Sequence, residues 1–231
     1  METEIVQFPL KGVWVTYHTP ADKVPTHGTD VLGMRYAYDI LQIQWKEKGL
    51  KFYHPSKVKY WLKGVTLSEC LGYEETIYSP FNGKVIEAYS EYSERDRLHP
   101  IIDFIFGHGK SIMFMFSKKP EKNIDLLPII GNYIIMKMKS KDIYSLFAHL
   151  KQGSLNVVAG DEVRTGQPIA KVGHSGNSTA PHLHFQLMNQ ANLLTSAGIQ
   201  CKFIEYEAWD GKDWEVVKNG TPEKLRPINF S

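Results

Sequence analysis

The chain has 231 residues, 42% hydrophobic and 23% charged, with 27 basic against 25 acidic side chains for a net charge of +2. These are the values of an ordinary globular protein, and a β-rich chain of this length folds as a single unit around one sizeable core. The near balance of charge, with no pronounced cationic stripe, argues against a nucleic-acid partner. No run approaches the roughly 18 apolar residues of a membrane span.

Two cysteines, Cys70 and Cys201, lie far apart and outside any CxxC spacing. They exclude a zinc knuckle and are expected as two separate structural thiols. The N-terminus begins METEIVQFPL, acidic where a secretory leader is basic and without an apolar stretch of sufficient length. As written the chain is expected in the cytoplasm, and outside it only if a leader was removed.

In chain order, residues 5–17 alternate loosely and predict an opening strand or hairpin with a turn at residues 9–12. Residues 20–33 read as a loop, and His27 and Asp30 fall in it as part of PTHGTD. The segment RYAYDILQIQ, residues 35–44, alternates again and predicts a central strand carrying Asp39. Residues 45–76 interrupt the pattern with Lys46, Lys48, Lys51, Lys57, Lys59 and Lys63 against Glu47. They predict an insertion between two core strands, with a short helix at 55–63 capped by Ser56. A charge run of this kind is usually a solvated face, and a cleft wall or lid is the sharper alternative.

Strands resume at residue 77, with a turn at Pro80-Phe81-Asn82-Gly83. A short helix at 98–106 is expected, then strands at 111–117, 132–139 and 143–150. The glycine-bounded turn GDEVRTGQ, residues 160–167, leads into a strand at 168–172. A late strand is expected at 201–206, and residues 210–231 read as a polar, loop-rich tail. No internal repeat is present.

The stretch GHSGNSTAPHLHFQL, residues 173–187, concentrates the chemistry. Its first half is small, polar and turn-forming, and HLHFQL alternates as a half-buried strand does. His182 and His184 would project from one face about 7 Å apart along the strand. On its own such a pair is more often a hairpin with two histidines on its wet face.

The surrounding residues change that balance. This stretch closely resembles the signature of the lysostaphin-like (LytM-type) zinc metallopeptidases, and the similarity runs without a gap over residues 131–188. It reappears more weakly at RYAYDI (35–40) and IYSPFNGKVIEA (77–88), covering about half the chain. The GDEVRTGQPI module also resembles biotinyl/lipoyl carriers and glucose-type phosphotransferase carriers, which argues for a barrel-like β fold rather than a particular chemistry. The resemblance implies a mainly β fold: an antiparallel sheet or barrel-like sandwich of the duplicated hybrid motif type, with short helices in insertions, in one domain over residues 1–231.

It also implies a zinc-dependent endopeptidase whose substrate is a peptide in peptidoglycan or a glycine-rich peptide. Three protein ligands and an open position for water are what hydrolytic zinc requires. By resemblance the ligands map onto Asp39 in RYAYD and His184, the second histidine of His-x-His. The usual first ligand, four residues before the aspartate, is replaced by Arg35. His27 on the preceding loop is the first choice for that role, Asp30 or a vacant, inactive site shares the remainder, and His18 is a distant candidate. The proton-handling pair maps onto His149 in FAHL and onto His182. His54, His99, His108 and His174 read as surface residues, although His174 sits in the site loop and could line the cleft. Two further readings remain open: a catalytically silent binding or regulatory module, and a phosphocarrier of the related barrel type.

Overall fold

The computed structural model describes residues 3–46, 50–101, 103 and 125–230; the strand expected at 111–117 and residues 102 and 104–106 of the helix expected at 98–106 lie outside them. The structure is mainly β and is built on a 12-stranded sheet to which both ends of the chain contribute. Strands β1 (Glu4–Val6) and β2 (Gly12–His18) flank the expected turn but do not pair with each other. Instead β2 pairs antiparallel with β3 (Tyr38–Leu41), and β1 runs parallel to a C-terminal strand.

The insertion contains α1 (Lys57–Lys63), in which Ser56 Oγ accepts from the Lys59 amide as the sequence predicted. Its strand β4 (Val65–Thr66) pairs with β7 (Arg97–Leu98), after β5 (Thr76–Tyr78) and β6 (Gly83–Tyr89). Tyr53, Val65, Leu67, Cys70 and Leu98 form a small core that also takes in Ala180 from the loop carrying His182. The insertion therefore walls the site loop as well as presenting a solvated face. On α1, Tyr60 packs on Tyr53 and Phe52 while Val58, Trp61 and Leu62 stay exposed.

Strands β8 (Asn132–Met138), β9 (Tyr144–Leu150) and β10 (Glu162–Val163) continue the large sheet. Strand β11 (Pro168–Lys171) pairs with β5 in a sheet of its own. Then come β12 (Leu183–Met188), β13 (Gly198–Ile199) and β14 (Cys201–Trp209). The tail is not loop-rich: β15 (Trp214–Gly220) and β16 (Ile228–Phe230) extend it as strands. β15 pairs with β14 alone, at the sheet margin. An edge strand exposed along most of its length carries no apolar alternation, which is why its sequence reads as loop. Cys70 and Cys201 are free and buried, as expected. Among the described residues no helix is long and apolar enough to cross a membrane.

The centre of the sheet runs β2-β3-β12-β9-β8-β6. Leu183, Phe185 and Leu187 of β12 enter the main core with Tyr38 and Ile40 of β3 and Phe147 of β9. Because strand side chains alternate, Asp39, His184 and Gln186 emerge together on the opposite face. The register places His184 beside Asp39 on one side and Ala148 on the other. Each large core side chain contributes about 1.5–3 kcal/mol by leaving water. A one-residue slip would bury the histidines and expose the core, so packing enforces the presentation of the site.

The loop before β12 is fixed by close backbone approach. Gly131 (φ +65°) and Gly176 (φ +69°) meet so tightly that a Cβ on Gly131 would lie 2.4 Å from Ser175 Oγ. The Asn177 amide donates to the Ile129 carbonyl at 2.9 Å, and the Asn132 amide to Ser175 Oγ at 2.9 Å. Gly131→Ala is expected to lower stability by about 2–4 kcal/mol, from the left-handed backbone and the clash together. Gly153→Ala, equally left-handed at φ +68° but with open space around it, should cost only about 1 kcal/mol. Equal shifts in urea midpoint for the two variants would contradict a packing role for Gly131.

Candidate metal centre

Asp39 stands in β3 with a half-buried carboxylate that gathers imidazoles from three directions. Its Oδ2 lies 2.7 Å from His18 Nδ1 and 3.0 Å from His27 Nε2. Its Oδ1 lies 2.8 Å from His184 Nδ1 and 3.6 Å from His182 Nε2. The His149 ring completes the group, 4.7 Å from His182 and 6.0 Å from His184 between centroids. His27, Asp39, His184, His149 and His182 are thus brought together, and His18 joins them.

Asp30 is not in the group. Its carboxylate is exposed and paired with Arg35 Nη1 at 2.8 Å. The chain from Val31 to Tyr36 turns sharply through Leu32 (φ 58°) and Gly33 (φ 74°), which separates Asp30 from Asp39 and leaves His27 facing it. Arg35 turns outward to Asp30 and Tyr36.

His149 needs a special backbone to reach the site. In a regular strand it would point away from its neighbour Ala148, which is level with His184. A bulge on β9, two residues against one on β8 between the pairs Leu150–Asn132 and Phe147–Ile134, together with φ 62° at His149, turns the ring. A non-glycine residue held in the left-handed region at a cluster of titratable groups is a mark of a functional constraint.

Hydrogen bonding behind the rings determines what faces inward. His27 Nδ1 lies 2.9 Å from Thr26 Oγ1, whose own proton goes to the Met34 carbonyl at 3.1 Å, so the hydroxyl accepts from the imidazole. His184 Nε2 donates to Gln186 Oε1 at 2.9 Å, the amide being oriented by its own donation to the Leu32 carbonyl at 2.7 Å. His149 Nδ1 donates to the Ser175 carbonyl at 2.9 Å, and His182 Nδ1 to the Ala180 carbonyl at 2.7 Å. A neutral imidazole has one N–H. With that proton directed outward, His27, His184 and His182 turn a lone pair toward the carboxylate, and the bare nitrogen of His149 lies beside His182. Lone pairs converging on an anion need a cation among them. Imidazole nitrogens plus carboxylate oxygen, each braced from behind, are a donor set that suits zinc.

The titration behaviour of His27, His149 and His182 agrees, while His184 stands apart. Burial would raise the Asp39 pKa, but the surrounding imidazoles, His27 and His182 foremost, hold it well below the usual carboxylate value. Burial lowers His27, His149 and His182 and keeps them neutral. Burial also opposes protonation of His184, but the bond and charge of Asp39 outweigh it and the pKa is raised.

His174 is a correction to the sequence reading: it is buried, not at the surface. Arg95 Nη2 donates to its Nε2 at 3.0 Å, so its Nδ1 donates to Ser178 Oγ at 3.0 Å. Burial first, and the Arg95 charge second, push it down to about 3. Arg95 also donates to the Ser178 carbonyl and to Asp103, clamping the site loop to the segment after β6. His54 is exposed and His99 half-buried, while His108 lies outside the described residues.

Comparison with known proteins places this geometry in context. The profile of Peptidase family M23 matches residues 62–195, which include His149, His182 and His184 and leave His27 and Asp39 upstream. The glycyl-glycine endopeptidase ALE-1 of Staphylococcus capitis is 49% identical over 37% of this chain and 25% of its own length. Lysostaphin of Staphylococcus simulans is 33% identical over 37% of this chain and 19% of its own. The chain thus spans a quarter or less of the length of these curated relatives. Among solved structures, a zinc-containing peptidase from Vibrio cholerae aligns with 85% of this chain and 37% of its own, at 18% identity and a TM-score of 0.36.

The pKa directions make stability depend on pH. His27, His149, His182 and His174 are lowered, so each contributes stability above the unfolded value of 6.5 that is lost as pH falls below it. His184, raised, works the other way: its contribution is complete below 6.5 and lost as pH climbs through its folded value. Asp39 loses its contribution only as pH falls below 3.8. The urea midpoint of the metal-free protein is therefore expected to fall from pH 7.5 to pH 5. A midpoint that held steady or rose on acidification would contradict the neutral, buried histidines.

Proposed function

The chain belongs to peptidase family M23, and on that premise we propose that it is a zinc-dependent endopeptidase that hydrolyses a peptide bond in peptidoglycan or a glycine-rich peptide. The observation that carries the reading is the set of inward lone pairs around Asp39, each fixed by an outward N–H bond to protein. His27 Nε2, Asp39 and His184 Nδ1 would hold the metal. Zinc bound there supplies Lewis acidity and brings the pKa of a water molecule to about 7.

The remaining groups handle protons. His182 Nε2 is bare because Nδ1 is committed to the Ala180 carbonyl, so it can take the proton of the attacking water and return it to the leaving amine. His149 Nε2 is bare for the same reason, through the Ser175 carbonyl. With its ring 4.7 Å from that of His182, it exchanges protons with that partner and, when charged, steadies the oxyanion. Burial keeps both rings neutral at rest, as a base near neutral pH requires. The substrate class rests on the relatives, one of which is named a glycyl-glycine endopeptidase.

Metal analysis of the purified chain should find about one zinc per molecule, lost in His184→Ala. His149→Ala should keep the zinc and lose roughly 10²–10⁴-fold in turnover of a glycine-rich peptide or purified peptidoglycan. Zinc retained in full by His184→Ala would remove the ligand assignment. A zinc-loaded chain that cleaves neither substrate would return the protein to the class of silent binding modules.

A further inference from the structure

His18 differs from the other imidazoles on Asp39. It reaches the carboxylate through an irregularity in β2: Thr16 pairs with Ile40, and the next pair is His18 with Asp39, one residue late. That extra residue is a β-bulge, a device that re-aims a side chain. In regular register Tyr17 would stand opposite Asp39; instead Tyr17 is exposed and His18 points at the carboxylate. Its 2.7 Å contact with Oδ2 is the shortest that Asp39 makes to any ring.

Its outer nitrogen also sets it apart. His27 and His184 each have a protein acceptor behind the ring, as metal-ligating histidines almost always do. Among the described residues His18 has no such bond, and its side chain is 27% exposed against 17% for His27 and 8% for His184. Nothing braces it as a ligand. A fourth protein ligand would also fill the position that hydrolytic zinc keeps open for water.

We propose that His18 is a positioning residue for Asp39, donating its Nδ1–H to Oδ2 so that the carboxylate is held in the orientation that presents Oδ1 beside His184. The inference deepens the zinc reading and rests on it. It assigns the bulge in β2 a purpose, and it makes His18 an outer partner of the metal rather than a member of its coordination sphere.

The test compares wild type with His18→Ala and His18→Asn, whose amide N–H replaces the lost donor. Zinc affinity is measured by competition with a chromophoric chelator, and the visible spectrum is recorded after loading with cobalt(II). His18→Ala should bind zinc about 10–100-fold more weakly, and His18→Asn should recover most of that loss. The cobalt bands should be the same in all three, because no ligand atom has been removed. An unchanged affinity in His18→Ala, a loss that Asn does not recover, or altered cobalt bands would each overturn the proposal, the last by making His18 a ligand. If wild type takes up no zinc, it is the proposed function that fails. The positioning role is then judged in the metal-free protein by nitrogen-15 NMR, where a His18 Nδ1 without a proton overturns it and a protonated Nδ1 that shifts in Asp39→Asn upholds it.

Discussion

A carboxylate with its side chain only 13% exposed in the middle of a sheet is costly to desolvate unless its oxygens are occupied. His18 and His27 stand at one oxygen of Asp39 and His184 and His182 at the other, with the His18 N–H as donor and the bare nitrogens of the other three as the place for a cation. Much of the architecture can be understood as what this gathering requires. β3 must lie between β2 and β12, because those neighbours deliver His18 and His184 at the level of Asp39. The aromatic and aliphatic residues alternating with them hold the register from the other face of the sheet.

Behind the inner ring stands a second layer of acceptors that fixes the tautomer of every imidazole but His18. Thr26, Gln186, Ser175 and Ala180 supply it from loops and strands remote in sequence. Gln186 also joins β12 to the turn at Leu32, so the loop that carries His27 and the strand that carries His184 are tied to one another. Arg95 and buried His174 do the same for the loop before β12. Networks of this kind are stable only when every member has a partner. Ser145 Oγ is the buried side-chain polar atom left without one among the described residues.

The sequence made the strand-forming half of the site legible because two short-range signals coincide there. HLHFQL alternates, so the face shared by His182 and His184 follows from strand geometry, and RYAYD places Asp39 in the same way. His27 could be favoured over Asp30 only through resemblance. The turn that separates them depends on left-handed Leu32 and Gly33, and no local rule marks Leu32 for that conformation. His18 reads only as a distant candidate because it looks like the end of an ordinary strand; the extra residue that re-aims it exists only once β2 is paired with β3. His174 reads as a surface residue in the sequence since its partner, Arg95, lies 79 residues away. The late strand at 201–206 is legible, but residues 210–231 read as loop because an edge strand such as β15 has few buried positions to impose a pattern. What was legible was local periodicity and motif, and what was not depends on tertiary pairing.

The central claim is that the inward nitrogens around Asp39 form a metal site closed on the protein side by His27, Asp39 and His184. Crystals of the zinc-loaded protein, measured on both sides of the zinc absorption edge, test it most directly. The account predicts one anomalous peak about 2.0–2.2 Å from His27 Nε2, His184 Nδ1 and an Asp39 oxygen, with His18 bonded to the carboxylate and not to the metal. A peak bonded to His18 in place of His184, or no peak at Asp39 in a protein that has bound zinc, would contradict it.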